Sequence, residues 1–350
     1  MISSFEYGAV IVSYRSAPLA LDAALSFIGA GGKKAIIVDN ASPDDSLDFL
    51  RRALSGEVQH HSEKPAAGDA PGNLPRDVEF EEIERVRWSF AEEGEEGLPD
   101  DQITVVSSYS NRGFAAGVNI GLLALLAHGV ERFLVLNPDA VIGKAALDAF
   151  EKRLCDKTIG LCGASVFGFE APHRVQALGG ARFDPVMLTG ENLYEGQEVQ
   201  EGLYHEDVER EMAYPLGAAM AFRKDFLTEA GFLDERYFLY YEEIDWVRSG
   251  AKRFKVGWAP DAIVFHRYGA STGSEKTLSK KASRRSPLGD YHMVRSRIAF
   301  AAKWSPWLVP LSVLAAFGQS GLRLARGQFK NAWAILKACR PFAPRGFAAQ

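Results

Sequence analysis

The stretch 133–140 places a carboxylate where a ligand could bind. Its first four residues are large and apolar, which is typical of a buried strand in a parallel sheet. Asn137 and Pro138 end that strand, because proline has no amide N–H to donate. Asp139 would then lie just beyond the carboxyl end of the strand, where it could hold a divalent cation and, through it, a phosphate group. These eight residues fit a simple turn equally well.

Three further carboxylates lie close together at Glu242, Glu243 and Asp245, where a helix is predicted to begin. Acidic residues in the first turn of a helix are favoured by its dipole, which is explanation enough for such a cluster. Aromatic residues just upstream could instead exclude water and raise the pKa of one carboxylate, which would suit a general base at neutral pH. The motif alone leaves both interpretations open.

Polar residues also follow two other apolar runs. Asp39, Asn40 and Ser42 come directly after the run 35–38, where an acid can accept hydrogen bonds from a ribose or a base. The same residues could cap the helix that follows. His266 ends a later apolar run, and this position makes it a candidate ligand for a metal ion or a diphosphate.

The segment 111–121 is rich in glycine. Gly113, Gly117 and Gly121 would let the backbone approach a diphosphate, and Arg112 could pair with its charge. The spacing is not that of a dinucleotide-binding fingerprint, and the segment follows the third strand rather than the first. Small residues at this spacing could also serve only the close packing of a helix on a sheet.

The elements that must position these residues alternate between strand and helix. Apolar runs at 8–13, 35–38 and 103–106 predict strands, and helix-spaced apolar residues at 19–28 and 46–54 predict the helices between them. This order is typical of right-handed βαβ units, so the sequence predicts an α/β fold with a mainly parallel sheet.

The segment 57–101 interrupts this alternation. It contains 14 acidic and four basic residues, with several prolines and glycines. We expect a partly disordered acidic insertion with one short helix at 78–90, because the segment offers little apolar surface to bury. Docking to a basic partner is the alternative function for it.

The net charge of −5 is unevenly distributed. Residues 276–350 hold 14 Lys and Arg against one acid, a net charge of +13, which leaves −18 for the remaining 275 residues. An acidic body argues against nucleic-acid binding. The basic end, with amphipathic helices predicted across 290–340, could contact an anionic membrane surface, cap the body or form a homodimer.

No signal sequence or membrane-spanning helix is predicted. The apolar run 307–317 is about half as long as a bilayer requires, and Pro310 interrupts it. Three cysteines without metal-ligand spacing fit a reducing compartment, so the sequence predicts a cytoplasmic protein that could lie at the inner face of the membrane.

Taken in order, six pieces of the sequence resemble glycosyltransferase family 2, in the branch that includes rhamnosyltransferases of bacterial polysaccharide synthesis. No single piece is specific, but their order is. They are residues 12–16, 37–42, 111–119, 136–140 and 238–246, followed by His266.

This resemblance implies a GT-A fold, with a Rossmann-like nucleotide-binding half built on a mixed, mainly parallel sheet. The GT-A domain would occupy residues 1–275, including the insertion 57–101, and a basic helical extension would occupy 276–350. The implied activity is inverting, with Mg²⁺ or Mn²⁺ as cofactor. The sugar would pass from a nucleotide-diphosphate donor, such as dTDP-rhamnose or a UDP-sugar, to a glycan or a lipid-linked glycan.

The resemblance also implies roles for individual residues. Those implied to contact the nucleotide are Ser13, Tyr14, Arg15, Asp39, Asn40 and Ser42. Those implied to lie along the diphosphate are Asn111, Arg112 and Gly117, and Asn137 stands where the family has the first acid of its DXD motif. Asp139 would hold the metal ion with His266, and Glu243 would be the catalytic base, with Glu242 and Asp245 as the other candidates.

Two other functions remain open at this point. A sugar-nucleotide pyrophosphorylase has a similar nucleotide-binding half, but it would need a phosphate loop rich in glycine and lysine, and residues 13–18 contain no lysine. A non-catalytic polysaccharide-binding protein would have no need for Asp139, Glu243 and His266 together.

Overall fold

The computed structural model describes residues 6–65, 79, 86–198, 203–267, 275–276 and 283–340. Its strands, in chain order, are β1 Tyr7–Ser13, β2 Lys34–Asp39, β3 Trp88–Glu92, β4 Ile103–Ser107, β5 Arg132–Leu136, β6 Ala140–Ile142, β7 Ile159–Gly168, β8 Val175–Leu178, β9 Gly180–Asp184, β10 Thr189–Asn192, β11 Tyr214–Pro215, β12 Ala219–Arg223, β13 Lys255–His266, β14 Glu275–Lys276 and β15 Ser283–Arg284. The helices are α1 Ala17–Gly29, α2 Ser46–Ser55, α3 Phe114–Ala127, α4 Ala146–Leu154, α5 His205–Glu211, α6 Lys224–Ala230, α7 Glu242–Gly250, α8 Pro287–Trp304, α9 Val309–Ala325 and α10 Phe329–Ala338, with a 3₁₀ turn at Pro306–Leu308 before α9.

One large sheet runs through the protein in the order β3-β4-β2-β1-β5-β12-β7-β13-β6, and β8 pairs with β7. The strands from β3 to β5 are all parallel. β12 enters between β5 and β7 antiparallel to both, which makes the sheet mixed. The predicted α/β class, with a mainly parallel sheet and a C-terminal helical part, is confirmed.

Helices cover both faces of this sheet. Ala9 and Ile11 of β1 face the layer that contains α1 and α4, whereas Val10 and Val12 face the layer that contains α3. β1 is buried along its whole length, as expected for a strand covered on both faces. The polar residues of each parallel strand can therefore reach solvent only where the strand ends.

Helix α3 lies unusually close to β1. A Cβ atom at Gly117 would approach Val12 Cγ1 to 2.6 Å, and a Cβ atom at Gly121 would approach Val10 Cγ1 to 2.4 Å. No side chain larger than hydrogen fits there without movement, so these glycines serve helix–sheet packing. The predicted contact of Gly117 with a diphosphate stays a prediction beside this packing role.

The insertion contributes a strand where a helix was expected. Trp88–Glu92 forms β3, which extends the sheet by pairing in parallel with β4. The prediction of a helix over 78–90 is wrong for its last residues, and residues 78 and 80–85 lie outside the described part of the chain. An exposed edge of the sheet was available to this segment, and backbone pairing there outweighed its helical pattern.

Helix α8, the first of the three C-terminal helices, is packed against the body rather than lying on the surface. Phe300 and Ala301 are buried with Tyr237, Tyr241 and Ile244 of the preceding segment. The predicted amphipathic helix at 290–304 is thus largely covered by protein, and its role is that of a helical cap.

The next helical segment corrects a second expectation. Pro306–Ala325 forms 20 helical residues with a mean hydropathy of 1.3, and only 17% of its most apolar window is buried. By length and composition alone it could cross a membrane. Pro310 does not interrupt it, because proline is tolerated in the first turn of a helix.

Asp245 fastens α8 to the body. Its carboxylate accepts hydrogen bonds from Lys303 Nζ at 2.8 Å, Trp304 Nε1 at 2.6 Å and the Tyr237 hydroxyl at 3.0 Å. Lys303 Nζ also lies 2.9 Å from Asp234. This arrangement satisfies a buried carboxylate with three donors, two of which belong to the helical extension.

Replacing Lys303 should therefore destabilise the whole protein. Lys303→Met leaves the buried Asp245 carboxylate without its cation, so we expect the free energy of unfolding to fall by about 2 kcal/mol. Urea denaturation followed by circular dichroism measures this change. Lys152→Met, at an exposed position on α4, is the control and should change stability by less than about 0.5 kcal/mol. Equal stability of the two variants would show that the contact does not anchor α8.

Candidate active site

The sheet has a topological switch point between β1 and β5. From β1 the chain adds β2 and then β4 on one side, and it returns to place β5 on the other side of β1. Open α/β sheets bind ligands in the crevice at the carboxyl ends of the strands on either side of such a point. The side chains that follow β1, β2 and β5 here are the ones that the sequence singled out.

The loops after β1 and β2 are joined to each other. Arg15 N–H donates to Ser42 Oγ at 2.9 Å, and Ser42 N–H donates to Asp39 Oδ2 at 3.0 Å. Arg15 and Ala41 both have φ near +56°, an unusual conformation for residues other than glycine. Such conformations persist where surrounding contacts impose them, and they cluster at functional sites.

Two buried oxygen atoms at this edge lack a hydrogen-bond partner. Within the described chain, no donor reaches Asp39 Oδ1 or Asn40 Oδ1, although both atoms are shielded from solvent. Burial raises the pKa of Asp39, and its hydrogen bonds with Ser42 only partly oppose this. Unpaired buried acceptors are costly, so these two positions suit a ligand that donates hydrogen bonds.

Ser13 and Tyr14 differ in what they present. The Ser13 side chain is buried, and its hydroxyl lies 3.2 Å from that of Ser16. The Tyr14 ring is exposed, with the Arg15 guanidinium 5.4 Å from its centre. Of the predicted nucleotide contacts in this loop, Tyr14 and Arg15 are free to meet a ligand, whereas Ser13 shapes the loop.

The loop after β4 is held by Asn111. Its side-chain oxygen accepts from Gly113 N–H at 3.0 Å and from Asn40 Nδ2 at 3.1 Å, which ties this loop to the one after β2. Gly113 has φ +93°, and a Cβ atom there would lie 2.3 Å from the Phe238 carbonyl oxygen. Asn111 therefore positions the loop, and Gly113 lets the segment before α7 pack directly against it.

Arg112 is engaged by carboxylates. It forms an ion pair with Glu93, the residue directly after β3, and its Nη1 lies 3.9 Å from Glu235 Oε2. Glu93 also accepts from Ser108 Oγ and from Tyr109 N–H. In this structure the predicted diphosphate ligand instead links the insertion strand to the loop before α3.

The structure brings Asp139 and His266 together. Asp139 Oδ1 lies 3.0 Å from His266 Nε2, and Asn137 Nδ2 lies 3.4 Å from the same nitrogen. Pairing of β13 with β6 brings them together, because His266 is opposite Ala140 in the register. The Asp139 carboxylate is buried, so its charge is poorly screened by water.

The hydrogen bonds of His266 show what this pair requires. His266 Nδ1 lies 2.8 Å from Gln176 Oε1, and in the tautomer that carries its proton on Nδ1 this nitrogen donates to that oxygen. In the neutral ring Nε2 is then an acceptor, yet it faces the carboxylate of Asp139. In that tautomer a hydrogen-bond donor or a cation between these two atoms would satisfy both.

The pair also fits a divalent cation. Two ligands at right angles and about 2.1 Å from an octahedral ion lie about 3.0 Å apart, as these two atoms do. Gln176 would fix the ring as outer partners of metal-binding histidines do. No group of three or more His, Cys, Asp or Glu that could hold a metal occurs among the described residues, so this pair would supply two ligands.

Glu243 is close to the Asn137 loop. Its Oε1 occupies space left by Gly217, where a Cβ atom would be only 2.3 Å away. The next residue, Ala218, accepts the backbone N–H of Asn137 at 3.0 Å. Burial raises the pKa of Glu243 to about 7. A half-buried carboxylate with that pKa is suited to accept a proton at neutral pH.

Two strained residues precede this carboxylate. Tyr240 and Tyr241 have φ of +70° and +73°, directly before α7 begins at Glu242. The Tyr241 hydroxyl donates to the Leu188 carbonyl, and its ring packs against Phe300 of α8. These contacts fix the turn that delivers Glu243.

The three carboxylates of the motif have different environments. Glu242 is buried, its Oε2 has no partner among the described residues, and burial followed by repulsion from Glu243 raises its pKa. Asp245 is bound by the three donors described above. In this structure Asp245 therefore anchors α8, and its catalytic role stays a prediction.

Sequence reasoning missed Gln176, Gly217 and Glu93. Gln176 lies on β8, and a single glutamine carries no motif. Gly217 follows the weak strand β11, and its role depends on a side chain from α7. Glu93 belongs to the insertion that was expected to be partly disordered. Only long-range pairing reveals these three.

Comparisons with known proteins found similar solved structures but no matching sequence family. No family model matches the sequence, and no curated protein matches it. Among solved structures it is similar to a 1–349 fragment of S. aureus TarS in complex with UDP-GlcNAc, with 11% identity, a TM-score of 0.47, and coverage of 96% of this chain and 82% of that one. The complex of the fragment with UDP gives a TM-score of 0.44 at 11% identity, covering 95% and 81%. In another structure of the fragment the chain covers 65% of the TarS chain, with a TM-score of 0.40 and 11% identity.

The raised pKa of Glu243 predicts a pH-dependent stability. The folded state binds the proton of Glu243 more tightly than the unfolded chain, in which the pKa of this residue is about 4.3. The stabilisation of the folded state by this proton is therefore full below that pKa and is lost as the pH rises to about 7. Glu243→Gln removes the titration. We expect the variant to gain roughly 1–3 kcal/mol over the wild type between pH 5 and pH 8. Chemical denaturation at each pH measures the difference, and the exposed Glu229→Gln is the control. A constant difference across this range would contradict the burial of Glu243.

Proposed function

We propose that the protein is an inverting glycosyltransferase that uses a nucleotide-diphosphate sugar as donor. The observation that carries this proposal is the convergence of three features at one sheet edge. These are the unpaired oxygens of Asp39 and Asn40, the Asp139–His266 pair and the Glu243 carboxylate with its pKa near 7. A nucleotide sugar presents hydrogen-bond donors, a diphosphate and a reacting carbon in one molecule.

The nucleoside would bind beside β2. Ribose hydroxyls or base N–H groups would donate to Asp39 Oδ1 and Asn40 Oδ1, which removes the cost of leaving them unpaired. Tyr14 offers an exposed ring against which a base could stack. The loops after β1, β2 and β4 are bonded to one another, so this part of the site is formed before the donor binds.

The diphosphate would lie toward Asp139 and His266. A Mg²⁺ or Mn²⁺ ion held by these two residues would neutralise the charge of the departing diphosphate. Asn137, next to His266 Nε2, could orient a ligand of that ion through its side-chain amide. Arg112 would have to exchange Glu93 and Glu235 for the diphosphate to act on it directly.

Glu243 would act as the base for the acceptor. Its carboxylate takes the proton of an acceptor hydroxyl while that oxygen forms a bond to the anomeric carbon. The bond from this carbon to the diphosphate oxygen breaks in the same displacement, and the nucleoside diphosphate leaves with the electron pair. Attack from the side opposite the leaving group inverts the anomeric centre.

The narrower assignments rest on the resemblance of the sequence motifs. We propose dTDP-rhamnose or a UDP-sugar as donor and a glycan or lipid-linked glycan of the cell surface as acceptor, with the protein in the cytoplasm at the inner face of the membrane. The acidic body, at −18 over residues 1–275, makes nucleic acid an unsuitable partner.

Glu243→Gln should abolish most turnover and leave donor binding intact. General-base catalysis contributes about 10²–10⁴-fold, so we expect a loss of that order in the release of nucleoside diphosphate in the presence of acceptor and Mn²⁺. Because the base must be ionised, wild-type turnover should rise with pH and level off above about 7. Donor affinity, measured by calorimetry, should change less than about twofold.

The exposed Glu229→Gln is the matched control and should keep wild-type turnover. Glu242→Gln separates the two neighbouring carboxylates. Near-full turnover of Glu243→Gln with a large loss in Glu242→Gln would overturn the assignment of the base. A flat pH profile between 5 and 8 for the wild type would do the same.

A further inference from the structure

Helix α9 is built with its small residues inside and its large apolar residues outside. Ser312, Ala316 and Ser320 recur every fourth residue and are buried. Ser320 Oγ donates to the Ala332 carbonyl of α10 at 3.1 Å, and the Ser312 carbonyl accepts from Arg297 of α8 at 3.3 Å. A helix of a water-soluble body normally buries its large apolar residues, so this arrangement is reversed. Small residues at helix contacts are typical of proteins in lipid.

The outward face of α9 and of the 3₁₀ turn before it carries a stripe of large apolar side chains. Trp307, Leu314, Phe317 and Leu324 are exposed and recur at helical spacing, with Leu322 beside them. Trp307 alone is 74% exposed. Half of the fourteen exposed large apolar side chains of the described chain lie between residues 307 and 333. A concentration of this kind marks a binding surface, whereas scattered exposed residues do not.

Helix α10 adds aromatic and basic side chains. Phe329 and Trp333 are exposed one turn apart. Lys337 Nζ and the Arg340 guanidinium lie 5.8 Å and 6.0 Å from the centre of the Trp333 ring. The segment 306–340 has five basic residues and no acidic residue. Aromatic rings beside Lys and Arg are the side chains that favour the interface between lipid head groups and acyl chains.

We propose that this surface, the exposed face of α9 and α10, binds the surface of an anionic lipid bilayer. The large apolar side chains would enter the acyl boundary, and Arg326, Lys330, Lys337 and Arg340 would face the head groups. The binding is peripheral because α9 is fixed to the body on its other side. Arg323 pairs with Asp290 of α8 at 2.8 Å, and Ser312 and Ser320 bind α8 and α10 as described above.

This surface is connected to the candidate active site. Helix α8, which ends directly before the Trp307 turn, reaches Asp245 through Lys303 and Trp304, two residues from Glu243. Docking of α9 would therefore hold the carboxylate in a fixed relation to the bilayer. The inference stands on its own observations and remains valid if the proposed transferase activity fails.

Vesicle co-sedimentation of the full chain tests the proposal. We expect binding to phosphatidylcholine vesicles that contain about 30% phosphatidylglycerol, weaker binding to pure phosphatidylcholine, and release at high salt. Leu322→Glu should weaken binding at least about tenfold, because it places a charge in the apolar stripe. Leu123→Glu is its matched control, since Leu123 is 57% exposed on α3 and Leu322 is 58% exposed on α9. Lys330→Glu should also weaken binding, and the exposed Lys152→Glu should not.

Three results would overturn the proposal. One is equal vesicle binding by Leu322→Glu and Leu123→Glu, with both proteins folded by circular dichroism. Another is a stable dimer in sedimentation velocity that only Leu322→Glu dissociates, which would make a second copy of the chain the occupant of this surface. The third is bound protein that resists an alkaline carbonate wash, which would indicate a spanning helix instead of a peripheral one.

Discussion

The pairing of β1 with β5 determines the candidate site. Because β2 and β4 lie on one side of β1 and β5 on the other, the loops that follow these strands open toward a shared crevice. The strands are buried on both faces, so their polar ends can meet water or ligand only at this edge. Gly117 and Gly121 let α3 lie directly on β1, which brings the loop before α3 within reach of Asn40. The positions of Asp39, Asn40 and Asp139 follow from this backbone pairing.

The carboxylates of the candidate site and Asp234, which helps to hold α8, differ in the direction of their pKa shifts. Burial raises the pKa of Asp39, Glu242 and Glu243, and one oxygen each of Asp39 and Glu242 has no hydrogen-bond partner among the described residues. Asp234 shows the opposite behaviour. Burial opposes its ionisation, but hydrogen bonds from Arg236 and Lys303 outweigh this and lower its pKa. Asp234 and Asp245, which several donors satisfy, hold α8 in place, whereas Asp39 and Glu243 lie at the candidate site. A donor that brings a cation and hydrogen-bond donors would complete the second group.

The sequence was informative where one strand determines the outcome. The apolar runs and the residues that end them predicted three side chains at the ends of strands. These are Asp39, Asp139 and His266. It was less informative where two distant segments meet. Asp245 resembles Glu243 in sequence, and only the arrival of Lys303 and Trp304 from α8 separates their roles. The strand β3 and the partner Gln176 likewise depend on pairing between segments far apart in the chain. The sequence did not predict the exposed apolar stripe of α9, because Gly, Gln and Ser at 318–321 end the apolar run 307–317.

Binding of a nucleotide sugar at the β1–β5 crevice is the central claim, and thermal unfolding with ligand tests it most directly. Titrating UDP-, dTDP- and GDP-sugars with Mn²⁺ should raise the Tm for at least one of them, in proportion to its saturation of the native state. The shift should be lost with chelator and in Asp139→Asn, and it should be kept in Asp148→Asn, which changes an exposed acid on α4. No shift with any of these donors, or the same shift in Asp139→Asn with and without chelator, would contradict the account.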